Sequence, residues 1–189
     1  MKIIALTGGI GSGKSVVSSI LRTMGYHVYD CDSRAKHVMD NSQYIKERLV
    51  QAFGNQAVAP NGVIDRKYLS RTVFGNPAAL KQLNGIVHPA VRHDIIQWAA
   101  NIKADCLFVE TAILKGSGLN EITNEEWNVQ APLEIRISRV MRRNNIPRQA
   151  VEARIKAQSA ETPTNGATII INDGITPLLP QIVKLCTAL

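Results

Sequence analysis

The stretch Gly8-Gly9-Ile10-Gly11-Ser12-Gly13-Lys14-Ser15 fits the pattern G-x-x-x-x-G-K-[ST], and the segments on either side give it a structural setting. Ahead of it, Lys2-Ile3-Ile4-Ala5-Leu6-Thr7 is a short apolar run that stops at glycines, as a strand buried on both faces of a parallel sheet does. Behind it, Val16, Val17, Ile20, Leu21 and Met24 recur at helical spacing until Gly25. Glycines let the backbone curl so that successive N–H groups point inward, and the helix N-terminus adds partial positive charge. Strand, loop and helix together make an anion cradle. A triphosphate is the expected guest. Backbone N–H groups of Gly11, Ser12, Gly13, Lys14, Ser15 and Val16 are expected to hold the phosphates, with the Lys14 ammonium on the β and γ oxygens and the Ser15 hydroxyl on Mg2+. A glycine-rich turn with a chance Lys-Ser is the alternative, and it leaves the simultaneous matches and their setting unexplained.

Tyr26–Asp30, Cys106–Glu110, Trp127–Ala131 and Ala167–Ile171 read as four further strands, with helical patterns between them. This alternation predicts an α/β fold of the P-loop NTPase type, a parallel sheet flanked by helices. The interval 33–103 is too long for one crossover. It carries the helical stretches Tyr44–Phe53, Arg66–Phe74 and Pro89–Lys103, divided by the turn signals Pro60-Asn61-Gly62 and Gly75-Asn76-Pro77. The expected organisation is a nucleotide-binding core at 1–32 and 104–189 and an inserted helical domain at 33–103. Thr176-Pro177 reads as the N-cap and first-turn proline of a closing helix.

With 189 residues, 45% hydrophobic and 20% charged, the chain can bury one core and a small appendage, and a disordered composition is excluded. No run approaches the apolar length of a membrane span, and the N-terminus lacks the pattern of a secretion signal, so neither is expected. Cys31, Cys106 and Cys186 are odd in number and far apart, which fits neither a disulfide framework nor a zinc site; a reducing cytoplasm is the expected location. The balance of 22 Lys and Arg against 15 Asp and Glu gives +7, which favours anionic partners without choosing between nucleic acid and small phosphorylated molecules.

The chain has no Asn-Lys-x-Asp guanine-reading motif, which sets aside the common GTPases. A motor or helicase needs a larger core, and the basic, aromatic-interleaved surface of a nucleic-acid binder is not evident at 5% aromatics. A small-molecule kinase fits best. Two other readings are a kinase for another small alcohol or nucleotide and a nucleic-acid-binding regulatory ATPase. The second strand ends in Asp30-Cys31-Asp32, at the carboxyl edge where open α/β sheets bind ligands. If the strand runs through, alternation points Asp30 and Asp32 to one side, and one carboxylate can accept the proton of an attacking hydroxyl while the other meets metal or water. A helix-capping role for one of them is the competing reading. Arg136, Arg139, Arg142, Arg143, Arg148 and Arg154 flank a break at Asn144-Asn145-Ile146-Pro147 and suggest a lid over 139–155. Charge runs are usually solvated helix faces, so Arg136 and Arg142 are expected at the surface.

Taken in order, these residues resemble the dephospho-CoA kinase family, whose members transfer phosphate from ATP to the ribose 3′-hydroxyl of dephospho-coenzyme A. The resemblance covers nearly the whole chain. It rests on Leu6 to Ser15, Asp30-Cys31-Asp32, Val73-Phe74-Gly75-Asn76-Pro77, His88-Pro89, Arg139-x-x-x-Arg143, Arg154-Ile155-x-x-Gln158 and Asn172-Asp173-Gly174. It implies Asp32 as general base, Lys14 on the transferring phosphate, and an acceptor site of Thr7 and Asp32 from the core with His88 and Arg92 from the helical substrate domain. It also implies Arg139 and Arg143 in an Arg-rich lid and Asn172 with Gly174 near the adenine. The implied partner is the small-molecule substrate, with ATP and Mg2+ as cofactors, no nucleic acid and no membrane, in a monomer or weak homo-oligomer. Departures are equally specific. Where the family often has Asp-x-Pro-Leu-Leu-Phe-Glu, this chain reads Glu110-Thr111-Ala112-Ile113-Leu114-Lys115-Gly116, so the terminal glutamate is missing. Asn144 stands for an aspartate and Lys36 for an arginine, which removes bidentate phosphate recognition at 36.

Overall fold

The computed structural model describes residues 1–158 and 161–189. In chain order the elements are β1 (Lys2–Thr7), α1 (Lys14–Thr23), β2 (His27–Asp30), α2 (Cys31–Asn41), α3 (Gln43–Phe53), α4 (Arg66–Val73), α5 (Pro77–Ala100), β3 (Cys106–Glu110), β4 (Glu125–Gln130), α6 (Leu133–Asn144), α7 (Arg148–Ala157), β5 (Thr168–Ile171) and α8 (Leu178–Cys186). Contacts gather them into two compact units, Met1–Asp30 with Lys103–Leu189, and Cys31–Ile102.

The first unit is built on a five-stranded sheet in the order β2-β3-β1-β4-β5, every pair parallel. The α/β, P-loop-type architecture expected from the strand–loop–helix pattern is present. Ile4, Ala5, Leu6, Leu107, Phe108 and Val109 are fully buried, which is why β1 and β3 read as unbroken apolar runs. Phe108 meets Trp127 edge-to-face with ring centroids 5.0 Å apart, and Val17, Leu21 and Ile182 bring α1 and α8 onto the same core. Each such side chain contributes about 1.5–3 kcal/mol by leaving water. Register sets the carboxyl edge: Glu110 lies between Asp30 and Leu6, and Thr7 pairs with Asn128. Among the described residues no helix is long and apolar enough to cross a membrane.

The second unit is helical, with Ile45, Leu49, Phe53, Ala57, Ile64 and Leu69 at its centre. Side chains start its helices: Ser42 accepts from Ile45 N, Asp65 from Tyr68 N at 2.8 Å, and Asn76 from Ala79 N at 3.1 Å.

Several expectations need correction. The long helix begins at Pro77, not Pro89, because the Asn76 cap and a proline at the first position nucleate it, and it continues through Pro89. The internal proline deprives only the Gly85 carbonyl of its partner, and both residues are exposed, so water can serve there. The fourth strand starts at Glu125, earlier than its apolar part suggests, because hydrogen bonds satisfy the buried Glu126. Asp32 is not on a strand. Asp30 ends β2 and Cys31 opens α2 with no intervening loop, so Asp32 lies in the first helical turn, where the helix dipole favours a carboxylate. The closing helix is capped by Pro177 rather than Thr176, whose N–H and hydroxyl are both bound to Asp173.

Candidate active site

The glycine loop owes its shape to donors that grip its carbonyls. Arg136 Nε donates to Ile10 O at 2.9 Å, and Arg139 Nη1 to Asn172 O at 3.1 Å, Ser12 O at 3.4 Å and Gly11 O at 3.5 Å. Asn172 Nδ2 donates to Ser12 O at 2.8 Å. A peptide whose carbonyl is held on one side turns the following N–H to the other, so these contacts aim N–H groups into the cradle. Gln158 Oε1 accepts from Ile10 N at 2.9 Å. Gly11 and Gly13 take φ of 79° and 99°, the left-handed region that glycine tolerates, and Gly13 caps α1. Two of the six N–H groups expected to meet phosphate are occupied inside the loop, Ser12 N on Gly9 O and Val16 N on Gly13 O, each at 3.0 Å.

Lys14 Nζ lies over this backbone and donates to Gly8 O at 2.7 Å. The exposed Ser15 hydroxyl, one turn into the same motif, has no hydrogen-bond partner among the described residues. It is a hard oxygen donor of the kind Mg2+ takes.

The arginines divide by position. Arg136, expected at the surface, is half-buried against the loop, and burial pulls its guanidinium below the usual arginine range. The reason is tertiary: the first turns of α6 pass beside Gly9 and Gly11, so Arg136 faces backbone rather than water. Arg142 is exposed as expected, and so is Arg143, whose Nε donates to Asn144 Oδ1 at 3.0 Å. Arg148 pairs with Glu134 and Glu152, each at 2.7 Å. The Arg154 side chain is exposed and unpaired among the described residues. Buried Ile137, Val140 and Val151 join α6 to α7, with Ile10 of the loop packed against them.

Three features at the carboxyl edge were not singled out from sequence. Glu126 is only 7% exposed; Thr7 Oγ1 donates to its Oε1, and Thr164 N donates to Oε2 at 2.7 Å. Asn128 Nδ2 donates to Thr7 Oγ1 at 2.8 Å. Burial opposes ionisation of Glu126, but donation from Thr7, Thr164 and Asn128 outweighs it and holds the carboxyl below its usual range. The sequence signal was a Glu-x-Asn alternation beside Trp127 and Val129. On α1, buried Ser18 donates to Glu110 Oε2 at 2.6 Å. Gly9, Ser12, Asn128, Arg136 and Gln158 line a cleft of about 350 Å3 beside the loop.

Asn172 ends at the loop brace just described. Gly174 follows in a turn at φ 83°, where Asp173 accepts from Thr176 N and Ile175 N and is held below the usual carboxylate range by those bonds. Asp32, His88 and Arg92 belong to the helical unit. His88 and Arg92 sit half-buried one turn apart on α5, and the unit's cleft of about 480 Å3 is lined by other α5 residues with Tyr44 and Arg48.

Residues 2–177 match the family model described as dephospho-CoA kinase. The chain is 38% identical to a dephospho-CoA kinase of Porphyromonas gingivalis over 188 residues, covering 98% of this chain and 93% of that protein. It is 37% identical to a Bacteroides fragilis protein of the same name, covering 96% and 90%. Among solved structures, one from Thermus thermophilus aligns with TM-score 0.84 at 34% identity, covering 99% of this chain and 96% of that one. A dephospho-CoA kinase from Campylobacter jejuni aligns with TM-score 0.70 at 26% identity, with the same coverage.

Proposed function

We propose, from the premise that the chain belongs to the dephospho-CoA kinase family, that its braced glycine loop and Asp32 perform an in-line phosphoryl transfer. As a member of that family the protein phosphorylates the ribose 3′-hydroxyl of dephospho-CoA with ATP as donor, giving coenzyme A and ADP in the last step of coenzyme A synthesis. The observation that carries the mechanistic reading is the grip of Arg136, Arg139 and Asn172 on the loop carbonyls, which prepares N–H donors for phosphate before nucleotide arrives.

The triphosphate lies along Gly11 to Val16, and Lys14 exchanges the Gly8 carbonyl for the β and γ oxygens. Asp32 orients the 3′-hydroxyl and accepts its proton as the oxygen attacks the γ phosphorus and ADP leaves opposite. Thr7, His88 and Arg92 contact the acceptor, and Asn172 and Gly174 bound the adenine side. Exposed Arg143, at the end of α6, and Arg154 of α7 turn in over the transferring group to neutralise its charge and exclude water. Ser15 would hold Mg2+, which supplies charge neutralisation on the phosphate oxygens. We place the enzyme in the cytoplasm, which its three cysteines, none of them in a disulfide, and its use of ATP support.

The test is ADP release with dephospho-CoA offered beside nucleosides, nucleoside monophosphates and shikimate. Dephospho-CoA is expected to give the highest turnover, and faster turnover of another acceptor would refute the reading.

A further inference from the structure

Glu161 follows α7 and reaches the loop after β3, where its carboxylate accepts from three successive backbone N–H groups: Leu114 at 3.1 Å, Lys115 at 3.2 Å and Gly116 at 2.9 Å. Consecutive N–H groups converging in this way form an anion nest, and here the chain supplies its own anion. Gly116 is the position at which the family pattern has a glutamate and this sequence has none. The room for such a side chain is taken, since a Cβ on Gly116 would lie 2.8 Å from Glu161 Oε1. Gly116 is not among the glycines with positive φ, so its backbone accepts any residue; the bound carboxylate and Ile113 Cγ2, 3.0 Å from the same Cβ position, are what favour a glycine. The loop bears on the reaction because Ala112 and Leu114 line a cleft together with Thr7, Gly8 and Gly9 at the start of the phosphate loop.

We propose that Glu161 is a positioning residue that supplies, from a segment 45 residues downstream, the carboxylate that the family pattern puts at position 116. It holds Leu114–Gly116 against the entrance to the glycine loop. A carboxylate at 161 and one at 116 are alternatives, and each excludes the other. This inference rests on the kinase reading for its kinetic arm, whereas its stability arm does not.

The experiment is a swap across the two sites: Glu161→Ala, Gly116→Glu and the double variant, each compared with wild type for kcat, both KM values and thermal midpoint. Glu161→Ala is expected to lower kcat on dephospho-CoA about tenfold while KM for ATP stays within about threefold. Gly116→Glu alone is expected to lower both activity and midpoint, through collision and like charge. The double variant is expected to recover both to within about threefold of wild-type activity, a non-additivity that coupled sites produce. Wild-type kinetics in Glu161→Ala, or a double variant no better than the worse single, would overturn the proposal. If Glu161→Ala does not fold, the isosteric Glu161→Gln decides: its amide keeps one acceptor oxygen but loses the charge and turns N–H groups toward the remaining N–H donors, so reduced kcat supports the proposal and full activity overturns it. Failure of the wild type on dephospho-CoA would strike the function reading, while the thermal cycle still reports on the coupling.

Discussion

Arg136 Nη2 occupies the space that a Cβ on Gly9 would need, so the guanidinium closes on the phosphate loop where the loop has no side chain. Gly8, its neighbour, faces a harder obstacle. It has φ 141°, and a Cβ there would strike the backbone carbonyl of Val129.

The two glycines should therefore respond differently to alanine. An arginine tip can move aside, whereas a strand carbonyl cannot, so Gly8→Ala is expected to cost about 3 kcal/mol of stability and Gly9→Ala about 1 kcal/mol. Urea denaturation measures both. Equal losses would mean that the Arg136 contact is as rigid as the Val129 backbone.

Glu126 predicts a pH dependence. Its folded-state pKa lies below the unfolded value, so the ionised carboxylate stabilises the native state at neutral pH, and that contribution disappears as pH falls through the depressed value. The stability difference between wild type and Glu126→Gln is expected to be largest near neutrality and to shrink below about pH 4. A constant difference between neutral and acid pH, measured by denaturant titration, would show that ionisation contributes nothing.

Asp32→Asn separates chemistry from binding. Loss of the proposed base is expected to lower kcat by a factor of about 10²–10⁴ with ATP affinity nearly unchanged. Near-normal turnover would show that Asp32 does not take the proton.

Arg139 and Arg143 belong to one sequence motif but should fail in different ways. Arg139 braces Gly11, Ser12 and Asn172, so Arg139→Ala is expected to cost about 2 kcal/mol and to weaken ATP binding. Arg143 is exposed, so Arg143→Ala is expected to change stability by less than about 0.5 kcal/mol while lowering kcat. Thermal midpoints and ATP titrations distinguish the two; matching midpoints would remove the brace from the account.

The phosphate loop was readable because its parts are contiguous. Lys14, Ser15 and the glycines act through one turn of backbone, and the apolar run before them could only be a buried strand. What supports the loop was not readable, even where Arg139, Gln158 and Asn172 stood out as motif residues. Gln158 reaches Ile10 across 148 positions, and Glu126 meets Thr7 across 119, distances over which no local period carries information. Arg136 looked like one more solvated charge because helical spacing says which residues share a face, but not what backbone that face will meet. Asp32 shows the limit at an element boundary, where a strand passes into a helix without the glycine or proline that marks most junctions.

Composition and local pattern thus established a parallel sheet and a glycine loop of the kind that cradles phosphate, since each depends on neighbours within a turn or a strand. Folding alone chose which carbonyls Arg136, Arg139 and Asn172 would hold, and which carboxylate would fill the nest at Leu114–Gly116. Those choices follow from packing α6, α7 and Glu161 around the loops they hold, and packing joins residues that the linear order keeps apart.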